Sequence, residues 1–288
     1  MKLRALIRFF KFTALTLALT MLAAALVLVY SRYIEPYALE IETVEISSTH
    51  VGQAADGIRI LMFADTHLGE FYDLEDFKTI IGKINEQDPD IVIFAGDLID
   101  IFDEYSEGTE ELSALLSEIN APYGKYCVFG NHDYGGGAER QYPQIMASGG
   151  FTLLLNEKHY IEELGINIIG IDDILIGYGD IGAAGLSETL LFNIVVAHEP
   201  DTADAISAFD VDLMLAAHTH GRQINIKYLD EYILPPYGKN YIAGRYDFES
   251  ERNMTLYVTR GIGMTQLPLR FNSNPELSVL VLRQAPPQ

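Results

Sequence analysis

The chain has 288 residues, with 19 Lys and Arg against 41 Asp and Glu and a formal net charge of −22. Five of the bases (Lys2, Arg4, Arg8, Lys11 and Arg32) fall in residues 1–33, which hold no acid, so the other 255 residues carry 14 bases and 41 acids, net −27. That balance excludes nucleic-acid binding by bulk electrostatics, 49% hydrophobic residues exclude general disorder, and a lone cysteine, Cys127, excludes an intrachain disulfide or a cysteine-based metal cluster.

The first element is apolar. Lys11 and Arg32 bracket 20 uncharged residues, FTALTLALTMLAAALVLVYS. A helix of that length rises roughly 30 Å, the thickness of a bilayer's hydrocarbon core. Four bases precede the run and one follows closely, so the positive-inside rule puts the N-terminus in the cytoplasm and the rest of the chain outside it. Phe9, Phe10, Tyr30 and Tyr33 stand near its two ends, where interfacial aromatics are favoured. The expectation is a single-pass membrane protein: a cytoplasmic tip and anchor over residues 1–33, spanning through 12–31, a linker and edge strand over 34–56, and a globular domain over 57–285. The alternative is a signal peptide whose cleavage leaves a secreted protein. Ala23 to Ala25 offer small residues for a peptidase, but the apolar run continues through Leu26–Tyr30.

Beyond the anchor, Leu39–Ser48 alternates as an edge strand does. Short runs rich in β-branched and aromatic residues follow at Ile58–Ala64, Ile91–Ala95, Lys125–Phe129, Ile166–Ile171, Phe192–Ala197 and Val211–Ala217. Between the first three, Leu74–Gln87 and Glu110–Asn120 carry apolar residues at helical spacing. Near-continuous apolar strands separated by helices predict an α/β sheet buried on both faces. Two further strand patterns, MTLYVTRG and LSVLVLR, lie near the C-terminus. Gly135–Gly137 reads as a loop, since it lacks the lysine and hydroxyl residue of a phosphate-binding loop.

The informative residues terminate these runs. Five ends read Asp65-Thr66-His67, Gly96-Asp97-Leu98-Ile99-Asp100, Gly130-Asn131-His132-Asp133, His198-Glu199-Pro200 and His218-Thr219-His220-Gly221. The carboxyl ends of strands are where open α/β sheets bind ligands. Five of the seven histidines fall in these segments; His50 and His159 do not. Two divalent cations about 3.5–4 Å apart can clamp a phosphoryl group and activate a water. Such a pair needs a shared carboxylate with imidazoles and further oxygens around it, a donor set that suits zinc, manganese or iron. In an extended Asp65-Thr66-His67 both donors would point to one side, and His218 and His220 share that spacing.

These motifs resemble the calcineurin-like metallophosphoesterase superfamily, and within it a membrane-anchored, extracytoplasmic bacterial branch of phosphodiesterases. The resemblance extends over about residues 35–285, through Tyr33-Ile34-Glu35-Pro36, Thr259-Arg260-Gly261-Ile262-Gly263, Leu269-Arg270-Phe271 and Pro275-Glu276-Leu277. It implies a four-layer αββα sandwich of two mixed sheets over 57–285. It implies one metal held by Asp65, His67, Asp97 and His220 and a second by Asp97, Asn131, His198 and His218, with Asp97 shared. His132 would contact the phosphoryl group and help the leaving oxygen depart, steadied by Asp100. The chain departs from the branch pattern Gly-His-Thr-His-Gly-Gly-Gln at Ala217 and Arg222. Arg222 either reaches a substrate phosphate or pairs with a surface acid.

Two divalent ions bring about +4, of which Asp65, Asp97 and a bridging hydroxide leave about +1. A phosphodiester neutralises that; a monoester dianion overshoots. The acidic surface disfavours long polyanions but not small ones, since exposed charges are screened beyond about 8–10 Å. An anchored domain meets lipid headgroups at high effective concentration. The expected activity is therefore metal-dependent hydrolysis of a phosphodiester or pyrophosphate bond in a small-molecule or lipid-linked substrate. A phosphomonoesterase and a non-catalytic scaffold of the same fold are the alternatives; a scaffold would be expected to lack His132 or several ligands. Asp133 reads as a cap, Glu199 as a turn residue, Cys127 as buried packing, and His50 and His159 as solvated or satisfied by hydrogen bonds.

Overall fold

The computed structural model describes residues 2–105, 108–226, 228 and 230–286. Uninterrupted Leu, Ala and Val make the first element a 32-residue helix, α1 (Lys2–Tyr33). Its mid-helix threonines return their hydroxyls to the carbonyl four residues back, as at Thr13, Thr16 and Thr20, so these polar groups are satisfied within the helix, as a hydrocarbon environment demands. It is the one helix among the described residues long and apolar enough to cross a membrane.

The strands are, in chain order, β1 (Glu40–Ser48), β2 (Arg59–Phe63), β3 (Ile91–Phe94), β4 (Lys125–Cys127), β5 (Phe151–Leu153), β6 (Glu157–Ile161), β7 (Ile166–Gly170), β8 (Phe192–Val196), β9 (Leu213–Ala216), β10 (Gly244–Asp247), β11 (Thr255–Val258) and β12 (Glu276–Gln284). The remaining helices are α2 (Leu74–Asn85), α3 (Thr109–Ser117), α4 (Asn131–Gly135), α5 (Tyr142–Ser148), α6 (Ala203–Ile206) and α7 (Asp230–Ile233). One six-stranded sheet runs β1-β12-β2-β3-β4-β5, the other β10-β11-β9-β8-β7-β6. Both are mixed: β12 runs antiparallel to β2, β10 to β11 and β6 to β7, and the other pairs are parallel.

Three apolar layers hold this together. Ile60, Met62, Ile93, Val128, Ile168, Ile194 and Leu215 fill the space between the sheets. Leu61, Phe63 and Val92 face the opposite way, against Phe77, Ile81 and Ile84 of α2 and Leu112 and Leu116 of α3. Ile169, Val195 and Met214 cover the outer face of the second sheet with Ala203 and Ile206 of α6. This is the expected αββα sandwich. Each fully buried Ile, Leu or Phe contributes about 1.5–3 kcal/mol relative to exposure. Helix α2 starts where it does because Asp73 accepts from the Asp76 backbone N–H at 2.9 Å and Asp76 answers with a reciprocal bond, a complete capping box.

The expected strands form, but several apolar runs end one or two residues early. Ala64, Ala95, Val128 and Ala217 have already left the ladder, because the chain there is turning into the loops that carry Asp65, Asp97, Asn131 and His218. Gly135 closes the short helix α4 and so is not simply loop, and Gly136 caps it, its N–H reaching the His132 carbonyl at 2.6 Å.

The two ends of the sheets differ. At one end, Asp212 accepts from Ser48 Oγ at 3.1 Å, His50 Nδ1 at 2.7 Å, the Asn193 N–H at 2.9 Å and Arg252 at 3.1 Å. At the other end the close of α1 is built into the domain. Ser31 and Glu35 are 3% and 1% exposed. The Arg270 N–H donates to the Ser31 carbonyl at 2.9 Å and the Ser273 N–H to Glu35 at 2.6 Å. The buried Arg270 guanidinium then spans the carbonyls of Arg260, Gly263 and Ser273 at 2.8–3.0 Å.

Candidate metal centre

All five motifs emerge at the carboxyl ends of β2, β3, β4, β8 and β9 and meet in one place. Asp65, His67 and His220 offer donor atoms within 4.8 Å of one another, as do Asp97, His198 and His218, and His67, Asp97 and His132. Asp97 links the clusters: its Oδ2 lies 3.2 Å from His198 Nε2 and 3.5 Å from His67 Nε2. Its Oδ1 is occupied by the His132 N–H at 2.8 Å. Asn131 lines the same cleft, with its Oδ1 buried and partnerless. Every expected ligand residue is therefore at the centre.

The local backbone is not the extended one the Asp-x-His spacing suggests. Asp65 (φ 52°), His67 (φ 42°), Asp97 (φ 61°), His218 (φ 73°), His220 (φ 52°), Arg222 (φ 75°) and Gln223 (φ 53°) all adopt left-handed conformations. Such residues carry of order 1–3 kcal/mol of strain each and persist where the surroundings over-determine them. The donors converge because the chain coils sharply at each of them. Gly96 shows how close the loops come: at φ 94° its Cβ would lie 2.5 Å from the Gly130 nitrogen and 2.9 Å from His198 Nδ1.

Hydrogen bonds at the far side of three of the rings fix which nitrogen faces inward, while the far nitrogen of His220 is buried without a partner. His198 Nδ1 donates to the Ala95 carbonyl at 2.7 Å, His67 Nδ1 to Asp100 at 2.9 Å and His218 Nε2 to the Pro236 carbonyl at 2.9 Å. In a neutral imidazole the opposite nitrogen then presents a lone pair. His67 Nε2 faces His220 Nε2 at 3.0 Å. His198 Nε2, Asp65 Oδ2 and Asn131 Oδ1 are buried without a hydrogen-bond partner. Buried nitrogen and oxygen atoms of this kind, aimed at a common volume, fit a cation.

Electrostatics ask for the same thing. Burial pushes Asp65 up to about 6, despite the pull of His198. Burial also opposes charge on Asp97, but His198 and its neighbours hold that carboxyl well below the usual range. Burial and the neighbouring His198 drive His218 down to about 4, and burial with His67 drives His220 well below its ordinary value. Burial opposes charge on His198 too, but Asp97 raises that ring well above its ordinary value, so the carboxylates draw positive charge onto His198 while His218 and His220 stay neutral.

His132 is different. Its Nδ1 lies 3.0 Å from Asp100 Oδ1. Burial works against charge on the ring, but the Asp100 hydrogen bond and the Asp97 charge outweigh it and raise His132 to about 9. Asp100 also takes His67 Nδ1 and, at 2.9 Å, the Thr265 hydroxyl. Thr265 is held in turn by Gln223, which accepts from the Thr265 N–H at 3.1 Å and donates to the Thr265 and Leu267 carbonyls. Neither Thr265 nor Gln223 stands out in the sequence, although the glutamine closes the last motif. Asp133 caps more than α4: its two oxygens accept from the N–H groups of Asp97, Leu98 and Gly130 at 2.9–3.0 Å, tying two site loops together. Glu199 does open a turn, Pro200–Thr202, and is fully buried there, accepting from the Ile174 N–H at 3.3 Å.

The centre opens into a cleft of about 430 Å³ whose polar floor is Asp97, Asn131, His132, His218 and His220. Arg222 is on its wall, with Nη1 3.5 Å from Asn225 Oδ1. Leu175, Ile224, Ile233, Leu234 and Leu267 make the remainder largely apolar.

The family profile described as calcineurin-like phosphoesterase matches residues 58–222. An uncharacterized metallophosphoesterase of Bacillus subtilis (strain 168), YkuE, is 40% identical over 258 residues, covering 88% of this chain and 89% of that protein. The phosphodiesterase YaeI of Escherichia coli (strain K12) is 33% identical, covering 78% of this chain and 82% of that protein. The UDP-2,3-diacylglucosamine pyrophosphatase LpxG of Chlamydia muridarum is 24% identical over 94% of this chain and 98% of its own.

Proposed function

The chain belongs to the calcineurin-like phosphoesterases, and from that premise we propose that it hydrolyses a phosphodiester or pyrophosphate bond of a lipid-linked substrate at a membrane surface, using two divalent metals. Asp65, His67, Asp97 and His220 would hold one ion and Asp97, Asn131, His198 and His218 the other. Manganese, zinc or iron suits this donor set. When bound, the pair supplies Lewis-acid polarisation of the phosphoryl group and a water of lowered pKa. The observation that carries the reading is the convergence on Asp97 of imidazole nitrogens and of buried carboxylate and amide oxygens without hydrogen-bond partners.

The chain's own groups do the rest. Asp97 is turned by the His132 N–H so that Oδ2 faces the imidazoles. His132, with Nδ1 committed to Asp100 and a raised pKa, carries a proton at neutral pH and delivers it to the leaving oxygen. Asp100 positions both His132 and His67 through one oxygen. Arg222, on the cleft wall, would be the cation available to a second phosphoryl group of the substrate. The preference for a diester or pyrophosphate is supported by the small residual charge of such a centre and by the activities named for YaeI and LpxG. The anchor, with bases before it, puts the catalytic domain outside the cytoplasm.

Full-length protein in detergent micelles with manganese should cleave bis-p-nitrophenyl phosphate faster than p-nitrophenyl phosphate and bind about two metal equivalents. Faster cleavage of the monoester overturns the diester preference. No cleavage of either with both metals bound overturns catalysis.

A further inference from the structure

The sheet register fixes where the membrane helix meets the catalytic domain. Strand β12 runs antiparallel to β2, with Ser278 opposite Met62, and parallel to β1, with Glu276 opposite Glu40. Extending that register puts Glu40, the first residue of β1, level with Ala64, one residue before Asp65. The chain therefore leaves α1 and enters the sandwich at the end that carries the metal centre, two strand spacings or roughly 10 Å to the side. The contact is continuous. The Gly263 N–H bonds the Asp65 carbonyl at 2.7 Å, Arg270 grips the Gly263 carbonyl at 2.8 Å, and the Arg270 N–H holds the Ser31 carbonyl at 2.9 Å.

The mouth of the cleft beside this junction is apolar and exposed. Leu267 and Tyr232, both lining the cleft, are 51% and 82% exposed, and Tyr228, four residues before Tyr232, is 94% exposed. Their segments are stitched together next to the helix: Ile224 bridges Phe271, and Tyr30 of α1 shares a cavity with Phe271. Exposed tyrosine and leucine around a concave site, on a domain otherwise rich in acids, suit the interfacial layer of a bilayer, where amphipathic rings are favoured.

We infer that the mouth of the cleft is seated on the bilayer spanned by α1, with Tyr228, Tyr232 and Leu267 in its interfacial layer, so that the metal centre opens toward lipid headgroups and not toward bulk water. The inference builds on the reading of α1 as an anchor and of the substrate as lipid-linked. It explains how a helix whose short exit segment is pinned at Ser31 and Glu35 serves catalysis: these two residues fix the height and tilt of the domain, and a substrate phosphoryl group reaches the metals without leaving the membrane surface.

The chain contains no tryptophan, so one introduced indole reports a single place. Leu267→Trp and Tyr232→Trp probe the mouth. Leu190→Trp, 92% exposed just before β8 at the opposite end of the sheets, is the reference. Each full-length variant is reconstituted into phosphatidylcholine vesicles with and without brominated acyl chains. The expected result is a blue-shifted emission and at least about twofold quenching for both mouth probes, as for an indole about 5–10 Å into the interface, with Leu190→Trp unquenched. Mouth probes quenched no more than the reference, whether all are dark or all bright, overturn the inference. The readout involves no turnover, so its failure is distinct from a failure of the phosphoesterase reading.

Discussion

Histidine meets buried aspartate at both ends of the sheets, and the two meetings are built differently. At one end every oxygen of Asp212 has donors: Ser48 and His50 on Oδ1, the Asn193 N–H and Arg252 on Oδ2. At the other, Asp65 Oδ2, Asn131 Oδ1 and His198 Nε2 are buried and unpaired, and seven residues around them hold left-handed backbone. The first cluster is complete as protein, and its work is to join β1, β8 and β9. The second is complete only with something electropositive added. Histidine content alone does not separate a ligand site from a structural one; the pairing of its partners does.

The sharpest way to break this contrast is Asp97→Asn. It removes the shared carboxylate, so metal content by elemental analysis should fall from about two equivalents to below about one, and turnover by at least about 10²–10³-fold. Retention of both metals would show that Asp97 does not link the two positions. His132→Ala comes next: both metals stay, and turnover drops about 10²–10⁴-fold, the usual contribution of a positioned acid.

Asp100→Asn sharpens the picture through pH. The active form of His132 is protonated, so activity is full below its pKa and lost as pH rises through about 9. The Asp100 carboxylate is what raises that pKa, so removing it must move the alkaline limb of kcat/KM to lower pH. A loss of about 10–100-fold in activity or metal affinity accompanies it, because His67 loses its orienting partner. A limb that does not move would mean that His132 is not the group being titrated.

The smallest effect on chemistry is expected at the complete cluster. Asp212→Ala removes the buried carboxylate from Arg252 and leaves it with the more distant Asp210 at 3.6 Å, so chemical denaturation should report a loss of up to about 3–5 kcal/mol. Metal content and turnover per folded molecule should be unchanged. Any drop in metal content would erase the distinction between the two ends.

Much of the site is legible in the sequence because it is punctuation. Asp65, Asp97, Asn131, His198 and His218 each end an apolar run, and the change from β-branched residues to Asp, Asn or His is visible without coordinates. The α/β character follows from the same runs, and the four-layer sandwich from the family resemblance. What is hidden has a physical reason in each case. Thr265 is an isolated threonine whose partner, Asp100, lies 165 residues away in sequence. The left-handed backbone at Asp65 and His67 leaves no compositional trace, since it is forced on non-glycine residues by surrounding loops. Strand β5 has three residues, too few to show a period, and β10 alternates half-buried and exposed positions on a sheet edge. Leu269-Arg270-Phe271 is visible in the sequence only as part of the family resemblance; that Gly263, Ser273 and Arg260 converge their carbonyls on the Arg270 guanidinium is not.

The junction around Arg270 bears on how a water-soluble version of this enzyme should be trimmed. Deleting through Tyr33, the obvious boundary of the hydrophobic span, strips the acceptor from the Arg270 amide, and deleting through Glu35 also strips the one from Ser273. Each orphaned interior amide costs about 1–3 kcal/mol, and both belong to the loop that touches Asp65. A truncation that begins at Tyr30, keeping one turn of helix as a plug, should yield a more thermostable and better metallated product than one that begins at Tyr37.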